Sequence, residues 1–457
     1  MKLKTSAILI AGALFGAATL PAQANNDAMM DLLKVLRDKG TISAQDYDLL
    51  TNAAAADAEA SEEIAQKVNK VEKEAVTINM NKGALKLESG DGAFKAQIGG
   101  RIMADYATID DDRDLDGNGS EFRRARLFMK GTVFNDWAYK AQFDFAEDDI
   151  EAKDLYVQYK GFKSVDVTLG NHKMPFSLEE RTSSKYITFM ERSAHNDVFS
   201  PGRQNGLSLF TNGDNWTLMG AVHMEGVSNN NDGRDEDYGY GARATFAPIV
   251  NGSNIVHLGA AWHHQEFDDN ALTGPDAFAQ QRFSARPEIH TIETRPFDTQ
   301  INGVEDSDTY GLEAAAVFGP FSVQAEYFNK QIGTTTDDAD FDGYYVYGSY
   351  FLTGESRNYE ADAGEFGRVS PNSIVGQGGF GAWELALRYS DIDLFDTATS
   401  VASAGQEGDI TTIGLNWYAT RNVRFMANYV NATVEYPGTS QSDDDIKAFQ
   451  VRGQIDF

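Results

Sequence analysis

The chain has 457 residues and no cysteine, with 39 Lys and Arg against 69 Asp and Glu, a formal net charge of -30. So acidic a balance argues against a nucleic-acid partner, which needs a clustered basic face, and the missing cysteines exclude a disulfide framework, Cys-ligated zinc and thiol nucleophiles. Past the N-terminal apolar run nothing approaches the ~20 residues of a membrane-spanning helix, whereas a membrane barrel, whose alternating strands average to a polar composition, stays open.

Lys2 and Lys4 precede the apolar run Ala7–Leu20, and Pro21 leads into Ala22-Gln23-Ala24, a small-x-small site. This predicts a signal peptide over residues 1–24, cleaved before Asn25. A chain that is exported and free of cysteine fits a bacterial envelope protein. Residues 25–80 then read as helical. Met29, Met30, Leu33 and Leu36 form a stripe and Gly40 is a C-cap. Ile64, Val68 and Val71 follow at i, i+4 and i+7 among Glu and Lys. That spacing suits either a short coiled-coil strip or a single solvated helix, expected in the periplasm.

From residue 94 the period changes to two. Trp137, Tyr139, Ala141, Phe143 and Phe145 alternate with Ala138, Lys140, Gln142 and Asp144; Phe449, Val451, Gly453, Ile455 and Phe457 alternate with Gln450, Arg452, Gln454 and Asp456. Sixteen such strands are expected near 94–108, 121–134, 137–147, 152–160, 164–173, 206–212, 215–226, 237–248, 254–267, 308–318, 321–332, 342–353, 381–394, 409–419, 422–436 and 445–457. Short turns (Asn135-Asp136, Gly319-Pro320, Thr420-Arg421-Asn422) alternate with long acidic loops (109–120, 227–237, 268–308, 396–408), and Trp137, Trp216, Trp262, Trp417 and Tyr436 stand at strand ends. A soluble sandwich also alternates. The turn asymmetry and aromatic girdle favour an all-β fold, a transmembrane antiparallel barrel of about sixteen strands over residues 94–457. An even count places the irregular segment 354–380 at the periplasmic end, where turns are short. Either that turn is long or the count is wrong by two.

Most of the negative charge falls in the loops. The run from Asp112 (DRDLDGNGSE) has Asp112, Asp114, Asp116 and Gly117 at calcium-loop spacing, but Arg123 stands where the closing Glu belongs, so it reads as a solvated acidic loop. Divalent cations could bridge such loops to lipopolysaccharide. On the wall, parity turns Ala125, Leu127 and Met129 outward and Arg124, Arg126 and Lys130 inward; Arg101, Lys140, Arg243, Arg388, Arg424 and Arg452 share the inward parity. An arginine at the bilayer midplane costs ~2–4 kcal/mol, which requires that placement. Lumen acids (Asp105, Asp144, Asp154, Glu326, Glu384) either neutralise these bases or leave an excess that binds anions. Arg101, Arg124, Arg126, Lys130, Lys140, Arg388 and Arg424 are the candidate pore-lining, anion-binding residues. The segment 174–205 is too rich in Phe, Tyr, Ile and Met for a solvated loop and is expected to fold into the lumen, making Arg181, Lys185 and Arg192 candidates for a constriction. Seven histidines are present without a Ser-containing elbow, and His263 and His264 point to opposite faces of a strand. No enzyme, metal or cofactor is expected.

Gly170-Asn171-His172-Lys173-Met174-Pro175-Phe176-Ser177-Leu178-Glu179, with Thr182-Ser183-Ser184-Lys185-Tyr186 and Phe189-Met190-Glu191-Arg192, resembles the third-loop signature of the phosphate-selective porin O/P family. Arg123-Arg124-Ala125-Arg126, Thr353-Gly354-Glu355 and Gly381-Ala382-Trp383-Glu384-Leu385-Ala386-Leu387-Arg388-Tyr389-Ser390 do so as well, and the likeness covers about residues 94–457. The resemblance implies a homotrimeric outer-membrane porin whose lumen bases pass inorganic phosphate, polyphosphate or other small anions by diffusion. Beyond Lys185 the only lysines are Lys330 and Lys447, short of a lysine-rich binding zone, so the alternative is a general, weakly selective porin for small hydrophilic solutes.

Overall fold

Period-two alternation over the C-terminal four-fifths of the chain builds one closed sheet. The structure, a computed structural model, describes residues 22–80, 83–112, 117–146, 149–226, 236–267, 280–396 and 405–457. The expected signal peptide up to residue 21, and Asp114 and Asp116 of the acidic loop, lie outside the described residues.

Among the described residues sixteen strands form the wall: β1 (Lys95–Asp111), β2 (Gly117–Val133), β3 (Trp137–Asp144), β4 (Glu151–Tyr159), β5 (Asp166–Lys173), β6 (Arg203–Asn212), β7 (Trp216–Met224), β8 (Tyr238–Asn251), β9 (Asn254–Glu266), β10 (Val304–Phe318), β11 (Phe321–Thr334), β12 (Ala339–Phe351), β13 (Ala382–Asp393), β14 (Glu407–Tyr418), β15 (Val423–Glu435) and β16 (Asp444–Asp456). Each pairs antiparallel with the next. β16 returns to β1, from Ile446 opposite Asp111 to Asp456 opposite Arg101, so the cylinder closes without a free edge. Below that seam, Leu85–Ser89 pairs with the start of β1, Leu85 opposite Ile98. The sixteen strands lie where the alternation put them. Segment 352–381 is therefore a long turn at the short-turn end, and it carries a small hairpin, Tyr359–Glu360 with Glu365–Phe366. The loop expected at 268–308 contains a second hairpin, Gln280–Ala285 with Phe297–Asn302.

Outward positions are apolar and exposed, as Leu127, Leu312, Leu387 and Ile413 illustrate. At the short-turn end Trp383 stacks on Trp417 (5.5 Å between centroids) and Trp417 on Phe425 (5.3 Å), a girdle suited to a membrane interface. Tyr436 departs from that expectation: it packs against the interior apolar cluster.

The N-terminal unit is a separate helical pair, α1 (Ala22–Asp38) and α2 (Ala44–Glu74). Gly40 turns between them at φ +67. Ser43 accepts a hydrogen bond from the Asp46 N–H (3.1 Å) while Asp46 accepts from the Ser43 N–H (3.3 Å), a reciprocal cap that starts α2. Ile64, Val68 and Val71 lie exposed along it.

Two segments inserted from the long-loop end pack against the β10–β16 side of the cylinder. Residues 174–202 contain the short turns α3 (Leu178–Arg181) and α4 (Ala194–Phe199). Phe176 and Phe199 from this loop, with Phe283, Ile289 and Phe297 from the 280–302 hairpin, bury against inward-facing Ile332, Phe341, Ile392, Ile410, Val430 and Ile446. Each such side chain contributes about 1.5–3 kcal/mol by leaving water. Arg388 joins the two insertions. Its guanidinium reaches Glu179 of the first (3.4 Å) and the carboxylate of Glu288 of the second, and it donates to the Glu191 carbonyl (3.1 Å). Ser390 (2.5 Å) and Thr412 (2.8 Å) also donate to Glu288. Replacing Arg388 with Met leaves two buried carboxylates without their cation, a loss of ~3–5 kcal/mol. The expected readout is a lower temperature at which the folded barrel loses its compact mobility on a gel, with Arg388→Lys intermediate.

Candidate pore and constriction

A register slip shapes the basic wall. Met103 of β1 opposes Arg124, yet Ala104 opposes Phe122, so Arg123 bulges out of the ladder. Phe122 is then 62 % exposed on the outside, Arg124 is 4 % exposed inside, and Arg123 also turns inward to pair with Glu191 through two bonds of 2.9 Å. Strict alternation would have sent Arg123 into lipid.

The loop 174–202 is held across the lumen by donors from the wall. Ser177, at φ +61, caps α3 by accepting from the Glu180 N–H (3.0 Å). The Leu178 and Glu179 N–H groups both donate to the Glu326 carboxylate at 2.8 Å. Arg424 donates to the carbonyls of Ile187 (2.7 Å) and Thr188 (2.9 Å). Arg452 pairs with Asp105 (2.6 Å) and Glu191 (2.6 Å), and Arg101 donates to Ser184 Oγ at 2.6 Å. These contacts press the loop against β11–β16 and β1–β2.

What stays open is a cavity of about 830 Å³ along β1–β7. Arg101, Arg124, Arg126 and Lys140 line it from the wall, and Arg181 and Arg192 from the loop. Four expected residues fall elsewhere. Arg388 and Arg424 do not line the path, because the inserted segments stand between them and the water and use them as anchors. Lys185 borders a separate small pocket with Arg368 and Asp456, and Lys130 is outside the cavity lining, further along the same strand toward the short turns. Lys153, Lys173 and Arg203 also line the cavity; Lys173 shares the parity of outward-facing Leu169, and Lys153 and Arg123 sit at register slips, so alternation points to none of those three.

The lining carries twelve lysines and arginines against six carboxylates. Counting also Asp144 and Glu191, which pair with Arg126 (2.5 Å) and Arg123 (2.9 Å) from behind the lining, the bases still lead by four. Asp154 joins Lys140 (2.6 Å) and Arg203 (2.9 Å). Glu180 joins Arg192 (3.1 Å) and Lys173 (3.4 Å). Burial alone would raise the Glu180 carboxyl, but Arg192, Lys173 and Arg203 hold it down to about 2. Arg101, Arg124 and Arg181 have no carboxylate within ion-pair distance among the described residues. The acidic excess of the chain lies outside this path: Asp391 faces Asp409 across β13 and β14, and Asp393 lies between Asp342 and Glu407 near the long-loop rim.

A closed sixteen-strand cylinder, greasy outside and charged around a wet interior, is an outer-membrane porin. The chain belongs to the family described as phosphate-selective porin O and P, whose sequence model matches residues 96–457. It is 30 % identical over 410 residues to Porin O of Pseudomonas aeruginosa, covering 82 % of this chain and 91 % of that protein. It is 32 % identical over 395 residues to an uncharacterised protein of Caulobacter vibrioides, covering 82 % and 76 %. The solved trimer form of OmpT, an outer-membrane protein of Vibrio cholerae, superposes with a TM-score of 0.50 at 11 % identity, over 80 % of this chain and all of that one.

Because the chain is free of cysteine, single cysteines report accessibility cleanly. A water-soluble thiol reagent is expected to modify Arg123→Cys and Arg126→Cys in the lipid-embedded barrel, and to leave Phe122→Cys and Leu127→Cys unmodified. Modification at 122 but not at 123 would show that β2 runs without a bulge at Arg123.

Proposed function

We propose that this porin passes small anions by passive diffusion along the β1–β7 side of its lumen, with tetrahedral oxyanions such as inorganic phosphate favoured over chloride. The observation that carries this reading is a positive cavity within a chain of net charge -30, including three arginines without a carboxylate partner among the described residues. A planar guanidinium offers paired N–H donors that match two oxygens of a phosphate, a geometry chloride cannot use. In a wet pore each unpaired cation contributes ~1 kcal/mol, so preference arises from several acting together. A homotrimer with its helical pair in the periplasm completes the reading; chemical cross-linking of the purified protein tests the first part.

Reversal potentials in a salt gradient test the selectivity. Wild type is expected to favour anions, and Arg124→Ala and Arg101→Ala each to reduce the anion-to-cation permeability ratio roughly fivefold, the equivalent of ~1 kcal/mol. Phosphate is expected to compete with chloride current; chloride current indifferent to phosphate would point to the general, weakly selective porin instead.

A further inference from the structure

The long turn 352–381 enters the lumen from the short-turn end as a tongue, and its tip is pinned on three sides. Arg243 donates to the Gly364 carbonyl (2.9 Å) and Asn212 to the Asp362 carbonyl (2.8 Å), both from the wall. The Phe366 N–H donates to Thr182 Oγ1 (3.3 Å) of the constricting loop. Tyr359 shares a hydrogen bond with His257 Nδ1 (2.6 Å), and the Arg357 guanidinium lies 3.5 Å over the Phe366 ring. Gly364 sits at φ +65 so close to the wall that a Cβ would come within 2.8 Å of Thr245 Oγ1 and 3.0 Å of Thr217 Oγ1. A tip held this firmly is placed, not loosely packed.

What it places is negative charge in the anion path. Asp362 and Glu365 both line the basic cavity, and neither has an ion-pair partner among the described residues. Glu365 lies near enough to Arg181 and Lys173 to act on their charge, and Glu360 likewise on Lys130, without contact ion pairs among the described residues. Burial, then the like charges of Glu365 and Asp362, push the Glu360 carboxyl up. Fixed carboxylates thus stand across water from bases that could have neutralised them by direct contact.

We propose that Asp362 and Glu365 form the specificity-determining counter-charge of the pore: presented by the tongue, they repel anions at the short-turn exit and set how far the arginine-lined wall can favour them. This rests on the anion-passing reading above. Charges facing each other through water keep their fields in the solute path, whereas contact pairs would cancel locally. The tongue therefore moderates an otherwise stronger anion preference and lowers chloride flux.

The test is the full-length protein in planar bilayers, wild type against D362N/E365Q, two near-isosteric changes. Retained heat-resistant mobility shows that both fold. The anion-to-cation permeability ratio in a potassium chloride gradient is expected to rise at least twofold, with a higher single-channel conductance. A second variant, Gly364→Val, should unseat the tip from Thr217 and Thr245 and shift the ratio in the same direction. An unchanged or smaller ratio in D362N/E365Q overturns the proposal. The two readings fail separately: a cation-preferring wild type whose ratio still moves toward anions on neutralisation sinks the anion reading and sustains the tongue.

Discussion

A cylinder of sixteen tilted strands encloses more space than its own side chains can fill, and the rest of the structure answers that constraint. Material must be brought inside without stranding its backbone polar groups. Arginine meets that need well, because one guanidinium presents five donors in a rigid fork. Arg424 gives two of them to loop carbonyls, Arg452 joins a wall aspartate to a loop glutamate, and Arg388 ties the two inserted segments to each other. The same residue type therefore has two occupations in this lumen: some arginines hold the filling in place, and others face the remaining water.

The division between those occupations produces the functional asymmetry. Along β10–β16 the inner face is apolar toward the long-loop end and becomes a dry core with Phe176, Phe199 and Phe297. Along β1–β7 it stays polar and basic. Lipid excludes charge from the outer face within the hydrocarbon, and the acids that cannot be tolerated there collect near the rim, where Asp391 opposes Asp409. A strongly acidic chain can thus carry a positive path, because net charge describes the whole surface and conduction samples only the part that borders the water.

The wall was readable residue by residue, since a membrane barrel leaves little freedom in which way a strand faces: all sixteen strands, and the inward direction of Arg101, Arg124, Arg126 and Lys140, follow from alternation. Alternation says which face a side chain occupies, but not what stands in front of it. Parity points Arg388 and Arg424 into the pore for that reason, and they lie behind the inserted segments instead. Ile392, Ile410, Val430 and Ile446 carried the missing signal, being apolar at lumen parity where a wet wall needs polar groups. The 280–302 hairpin hid inside an apparent acidic loop, although Phe283 with Ala285 and Phe297 with Ile301 alternate. Arg123 left no trace in the pattern, because a bulge is a break in the rule that makes strands legible.

That break has an effect on how the chain could vary. A strand keeps a phase, and the extra residue at Arg123 resets it, so the stretch from Gly117 to Phe122 runs half a repeat out of step with the stretch after Arg124. Trimming that one codon would cost the link to Glu191 and nothing of the facing: Phe122 would stand directly beside Arg124, still toward acyl chains, and β2 would run in uninterrupted rhythm. A codon lost or gained elsewhere in the strand has no such slack and turns everything beyond it over, water side for acyl side. A lineage can therefore shorten β2 by one at Arg123 more cheaply than anywhere else along it.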